Sequence, residues 1–292
     1  ETRYLCSGKH IISFEPILNI KHMSDSNLDK SAPNAEATKA LLGELLAVDS
    51  KHSTYQQLHP LILDVVGADL SPAGKRESLR WDYMESLSEF ANKSVIDIGA
   101  NTGYFSLAAI AEDASSVEAY EGHQQHAEFL LESANLLGLM SRLTVFNAYF
   151  DFEPQQKGTA DIALCLNVLH HLGDDFGATD QPMDKAKRQM VDSLHNLAKH
   201  AGTCWFQLGF NWMGDRNRPL FANGLKSELI EFVREACDGA WVIEDVGIYN
   251  PSEQRYEPLR EELLVRFDEA GEFLNRPIFL LKSLQYQAAG EH

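Results

Sequence analysis

The clearest chemical pattern in the chain is a seven-residue block, Asp97-Ile98-Gly99-Ala100-Asn101-Thr102-Gly103. It follows the strand-like Ser94-Val95-Ile96 and precedes a run of helix composition beginning at Tyr104. A strand that ends in glycines lets a ligand approach bare backbone before a helix begins. The glycine spacing is not the GxGxxG of a dinucleotide fingerprint, which speaks against a nicotinamide dehydrogenase. Asp97 adds a carboxylate at the strand end, suited to a cationic or hydroxyl-bearing ligand and repellent to a pyrophosphate. Two neighbouring histidines, His170 and His171, titrate near neutral pH and could carry a proton. The segment Gly209–Arg216 follows a strand, where open α/β sheets bind ligands. In it Asn211 and Trp212 could shape an acceptor pocket, and Arg216 could hold an anion. Upstream, Arg80-Trp81-Asp82-Tyr83 places an aromatic-rich helix, Tyr83 included, about a dozen residues before the first strand.

The elements that must position these residues are legible as alternation. Apolar runs at Ser94–Gly99, Val117–Glu121, Leu143–Phe146, Asp161–Leu166 and Thr203–Leu208 read as strands. Helices are expected over Tyr104–Ala111, Gln124–Leu137 and Met183–Lys199. Short strands alternating with helices imply a parallel, doubly wound α/β sheet. Two later β-rich runs, Ala240–Tyr249 and Pro277–Leu284, add an antiparallel hairpin at the sheet edge. The charged stretch between them, Glu257–Leu274, reads as helix-prone. Ahead of the first strand, Ala35–Val48, Leu58–Val66 and Arg76–Phe90 are expected to form a helical cap, with a turn at Ser71-Pro72.

Composition removes several classes of answer. The chain has 292 residues, 44% of them hydrophobic and 23% charged, as in an ordinary globular protein. Lys and Arg number 25 against 43 Asp and Glu, a net charge of −18. This balance argues against a nucleic-acid partner gripped over a wide surface, although Arg216, Arg218 and Lys226 leave room for a local basic mouth. Four cysteines (Cys6, Cys165, Cys204, Cys237) form no CxxC pair, so neither a metal site nor a disulfide framework is expected, and a reducing cytoplasm fits. With no long uninterrupted apolar run, no membrane span is expected either. Residues 1–22 are read as a leader foreign to the native chain or as an N-terminal extension, with Met23 as the native start.

The block Asp97–Gly103 resembles the first motif of class I S-adenosylmethionine-dependent methyltransferases, and the order of elements agrees from about Ser94 to Ser283. The resemblance implies that Asp97, Gly99, Asn101 and Gly103 hold the methyl donor. It implies that Glu121, at the end of the second strand, bonds the ribose hydroxyls. Asn147-Ala148-Tyr149 would lie around the adenine, with Ala148 contributing backbone; Asn147 departs from the acidic residue often found there. Asn167, in Leu166-Asn167-Val168-Leu169-His170-His171-Leu172, would sit beside the methionine portion and the transferred methyl. His171, or its neighbour His170, would then be a general base for an acceptor that must lose a proton. The polar loop Leu172–Asp184 would cover the site. Arg80–Tyr83 is similar in position to the Trp-rich segment of tRNA carboxymethoxyuridine methyltransferases.

The expectation is therefore a mostly parallel seven-stranded sheet with a C-terminal antiparallel edge hairpin. A helical cap over residues 23–93 precedes a donor-binding domain over residues 94–292. Its activity would be methyl transfer from S-adenosylmethionine to oxygen or nitrogen of a small-molecule acceptor. A tRNA-modifying enzyme of the same fold, or a module that binds the donor without catalysis, are the alternatives.

Overall fold

The computed structural model describes residues 35–47, 56–66, 76–153, 160–177 and 181–287. The expected leader at 1–22, the turn at Ser71-Pro72 and part of the loop after His171 lie outside the described residues. Three helices come first: α1 (Ala35–Ala47), α2 (Pro60–Val66) and α3 (Glu77–Leu87). Then follow β1 (Ser94–Ile98), α4 (Tyr104–Ala111), β2 (Ser116–Tyr120), α5 (Gln124–Leu136), β3 (Leu143–Phe146), β4 (Ala160–Leu166), α6 (Met183–His200) and β5 (Ala201–Gln207). The last part comprises α7 (Lys226–Cys237), β6 (Trp241–Asn250), β7 (Arg255–Pro258), α8 (Glu272–Asn275) and β8 (Ile278–Ser283).

All strands join one sheet in the order β3-β2-β1-β4-β5-β8-β6-β7. From β3 to β5 every pair is parallel, while β8 runs antiparallel to both β5 and β6. The seven expected strands are thus present, and β7 adds an eighth as the hairpin partner of β6.

Period-two alternation sends each strand's side chains to two cores. Ile96 and Ile98 face one core, with Leu194 of α6 and Val233 of α7. Val95, Val117 and Trp205 face the other, with Leu107 of α4, Leu130 of α5 and Leu42, Ile62 and Met84 of the N-terminal helices. Helices therefore cover both faces of the sheet. On the second face α3 covers strands that α4 and α5 do not reach: Tyr83 packs near Trp205 and Tyr256, with ring centroids at 6.2 and 6.1 Å.

Two segments differ from the sequence reading. Helix α7 was not expected, although Leu229, Ile230, Val233, Ala236 and Cys237 form a helical stripe that is fully buried. The helix-prone stretch Glu257–Leu274 instead gives the end of β7, two short 3-10 turns and the start of α8. Its carbonyls are taken by distant side chains rather than by a helical ladder. Lys226 Nζ donates to Leu263 O and Val265 O, each at 3.0 Å, and Asn275 Nδ2 donates to Phe267 O at 2.8 Å. Among the described residues no helix is long and apolar enough to cross a membrane.

Candidate active site

The turn after β1 is shaped by its backbone. Gly99 and Ala100 both donate to Tyr120 O, at 2.8 and 3.1 Å, which bends the chain across the end of β2. Gly99 has φ +72°, and a Cβ there would fall 2.9 Å from a Val168 methyl. Gly103, at φ +87°, leads into α4, and its Cβ would fall 2.2 Å from Leu130. Both positions demand glycine for conformation and for space. Asn101 also adopts a left-handed backbone, φ +52°, with its Oδ1 accepting from Thr102 N at 2.8 Å. Gln56, from the segment before α2, closes the turn: its Oε1 accepts from Thr102 Oγ1 and Tyr104 N, each at 3.0 Å.

Two carboxylates stand beside this turn. Glu121 follows β2 and accepts from Asn101 N through one oxygen and from His123 N through the other, both at 2.7 Å. Charge-assisted bonds to backbone N–H fix its direction. Asp97, 3% exposed, accepts from Ser106 Oγ at 2.6 Å. Burial pushes its carboxyl up to about 7; the bond from Ser106 works against that shift, and the nearby Glu121 charge reinforces it.

Beyond β3, Ala148 and Tyr149 reach the same cleft, and Asn147 Nδ2 donates to Glu121 O at 3.1 Å. At the end of β4, Asn167 has φ +65° and is held on every side. Its N–H donates to Gln207 O and its Nδ2 to Gln207 Oε1, both at 2.8 Å, and its Oδ1 accepts from Arg276 at 2.7 Å. Gln207, fully buried at the end of β5, also accepts from Arg80 at 3.1 Å and donates to Arg276 O at 2.9 Å. Arg80 pairs with Glu77 at 2.9 Å, and Arg276 with Glu272 at 2.5 Å. Glu272 in turn accepts from Asn211 at 3.1 Å.

The two histidines part company. His171 lines the cleft, its Nδ1 lying 3.2 Å from Asp175 Oδ2 and 3.8 Å from Asp174 Oδ2. His170, 1% exposed, does not line it; its Nδ1 accepts from Gly209 N at 3.2 Å. Its place is against the backbone that follows β5.

These residues line one cleft over the carboxyl ends of β2, β1 and β4. Of the residues singled out in the sequence, Asp97, Gly99, Asn101, Glu121, Ala148, Asn167 and His171 line it. Gly103 stands just behind, where Leu130 fills the space a side chain would need. Asn211, Trp212, Arg216 and Tyr83 do not line it. Asn211 is tied to Glu272 as above. Trp212 is buried and donates to Leu172 O at 2.6 Å, so it packs inward instead of facing a ligand. Arg216 is exposed on the loop. Tyr83 is buried beneath the antiparallel strands, with its hydroxyl bonded to Asp245; burial and that bond raise its pKa.

No protein-family model matches the chain, and no curated protein matches its sequence. Solved structures do match its fold. The bifunctional kinase-methyltransferase WbdD superposes with a TM-score of 0.51 at 16% identity, covering 82% of this chain and 46% of that one. A second structure of WbdD gives 0.50 at 16% identity, with 87% and 44% covered. This chain therefore spans less than half of WbdD. A Pyrococcus horikoshii protein described as a candidate RNA methyltransferase is covered over 98% of its length and 84% of this chain, at 14% identity and a TM-score of 0.41. With WbdD this chain shares a Rossmann-like α/β fold.

Sequence reading missed the buried frame of Glu77, Gln207, Glu272 and Arg276, and gave Arg80 no role. Gln207 had a signal, since it ends a strand next to a loop already singled out. Arg276 and Glu272 form an ordinary i,i+4 pair whose partners lie far away in sequence, and nothing local marks them.

Proposed function

We propose that this chain is an S-adenosylmethionine-dependent methyltransferase acting on an oxygen or nitrogen of a small-molecule acceptor in a reducing cytoplasm. The observation that carries the reading is Glu121. Its carboxylate is locked by two backbone N–H groups, beside a glycine turn that a side chain would fill. Such an acid accepts ribose hydroxyls, and the glycine turn lets the rest of the donor lie flat across Asp97 and Asn167. The donor supplies a sulfonium-bound methyl for in-line displacement, and the acidic lining favours that cation.

The protein's own part is positioning and proton handling. Asp97, Gly99, Asn101, Glu121 and the backbone at Ala148 would hold the donor, and Asn167 would border its methionine portion. His171 would take the acceptor's proton, oriented by Asp175, for acceptors that must lose one. The N-terminal helices, reaching the cleft through Gln56, Glu77 and Arg80, would act as its cap. Three of the cations around the loop after β5 and its neighbours are matched by acids: Arg218 by Asp215 at 3.6 Å, Arg266 by Asp268 at 3.1 Å and Arg276 by Glu272.

Calorimetric titration with S-adenosylmethionine and S-adenosylhomocysteine tests the donor site. Micromolar binding, about −8 kcal/mol, that Gly99→Arg abolishes is the expected result. A folded wild-type protein that binds neither ligand would overturn the reading.

A further inference from the structure

The cleft is lined by four carboxylates, of Glu77, Asp97, Glu121 and Asp175, and by one guanidinium, that of Arg80. Among the described lining residues Arg80 is the sole Lys or Arg. It is 3% exposed, and it lies over the Phe105 ring at 5.1 Å. One terminal nitrogen is engaged by Glu77 and the other by Gln207. A guanidinium carries five N–H donors, and two bonds leave it far from saturated. Its Nε is buried and meets no hydrogen-bond partner among the described residues. An unmade bond from a buried charged donor is costly, and a ligand carboxylate matches the fork of donors in shape and charge.

Place agrees with chemistry. Glu121 follows β2, and Arg80 is fixed to Gln207 at the end of β5. In the order β2-β1-β4-β5 that is three strand spacings, roughly 14 Å. A donor with its ribose at Glu121, laid over Gly99 and past Asn167, brings its amino-acid end toward Arg80. We infer that Arg80 receives the α-carboxylate of the methyl donor. Helix α3 thereby distinguishes the complete donor from nucleosides that lack this group. The inference rests on the methyl-donor reading above. Glu77 and Gln207 are positioning residues: each holds one terminal nitrogen of the guanidinium.

The test compares S-adenosylmethionine with decarboxylated S-adenosylmethionine, which differs only in the carboxylate, with 5′-methylthioadenosine as a probe of the nucleoside end. Because the cleft is acidic, bulk electrostatics would favour the decarboxylated, more cationic ligand, so a preference the other way reports a specific contact. Calorimetry on wild type should show about 10- to 100-fold tighter binding of the full donor. The paired variant Glu77→Gln/Arg80→Gln removes the cation without leaving a lone buried acid. In it the two ligands should bind within about 3-fold of each other, with 5′-methylthioadenosine unchanged. Equal preference in both proteins overturns the inference, as does loss of 5′-methylthioadenosine binding together with the donor. Absence of preference in wild type overturns it even if the variant does not fold. A folded wild type that binds none of the three ligands overturns the donor reading itself.

Discussion

At its β2 end the cleft is made largely by one stretch of chain, Asp97 to His123, with Gln56 and Ala148 added, whereas its β5 end is assembled from residues far apart in sequence. The first end satisfies its carboxylates within that stretch: Glu121 takes the N–H of Asn101 and of His123, and Asp97 the hydroxyl of Ser106. The second is built from side chains bonded to side chains across 40, 127 and 109 residues, in Asn167–Gln207, Arg80–Gln207 and Arg276–Asn167. A contiguous turn folds to its shape from local conformational demands. The far frame exists only after β4, β5, α3 and α8 have packed, and each bond in it leaves a buried partner stranded if it breaks.

Breaking the local end at its tightest point should have the largest effect. Gly103→Val combines a left-handed backbone with a Cβ 2.2 Å from Leu130, and is expected to cost about 4 kcal/mol of stability in urea unfolding. Next comes Asp97, whose carboxyl is raised from 3.8 to about 7 by burial. The folded state holds this proton more tightly than the unfolded chain, so the stability it confers is complete below about pH 4. That stability is lost as pH rises through about 7, on the order of 4 kcal/mol. Asp97→Asn should flatten this slope, and unchanged pH dependence would remove the burial argument.

Gln207→Leu probes the distant frame: it keeps the volume but strands Asn167 Nδ2, an Arg80 N–H and Arg276 O. A cost of about 2–3 kcal/mol is expected, with weaker binding of S-adenosylmethionine by calorimetry because Asn167 and Arg80 lose their hold. Glu121→Gln replaces a charged acceptor and should weaken donor binding by about 10-fold with little change in thermal midpoint. The smallest effect sharpens the comparison from outside. Arg216→Ala, on the exposed loop, should shift stability by no more than about 0.5 kcal/mol and leave donor affinity as it was. A large effect there would mean that the cleft extends where the structure does not place it.

The two histidines show how legibility ends. Residues 170 and 171 are identical in type and adjacent, and no local property distinguishes them. Packing against Gly209 buries one, and the short turn Leu169–His171 points the other into the cleft. Trp212 and Tyr83 show the opposite failure. Their types suit a binding surface, but each is large and apolar enough to be claimed by the core, where its polar tip finds Leu172 O or Asp245. The loop and the helix that carry them were read correctly as elements; which way their side chains face was not.

By itself the sequence determined the strand–helix alternation, the parallel sheet with its antiparallel edge, and the glycine turn with Asp97 and Glu121 beside it. Those features follow from side-chain periodicity and backbone freedom, which act within a few residues and leave their mark on composition. Only the tertiary structure decided that Arg80 enters the cleft, that Gln207 joins Arg80 to Asn167 and Arg276, and that His171 rather than His170 faces the ligand space. A buried hydrogen bond between distant side chains depends on the relative placement of whole elements, and that placement is set by the packing of both cores at once.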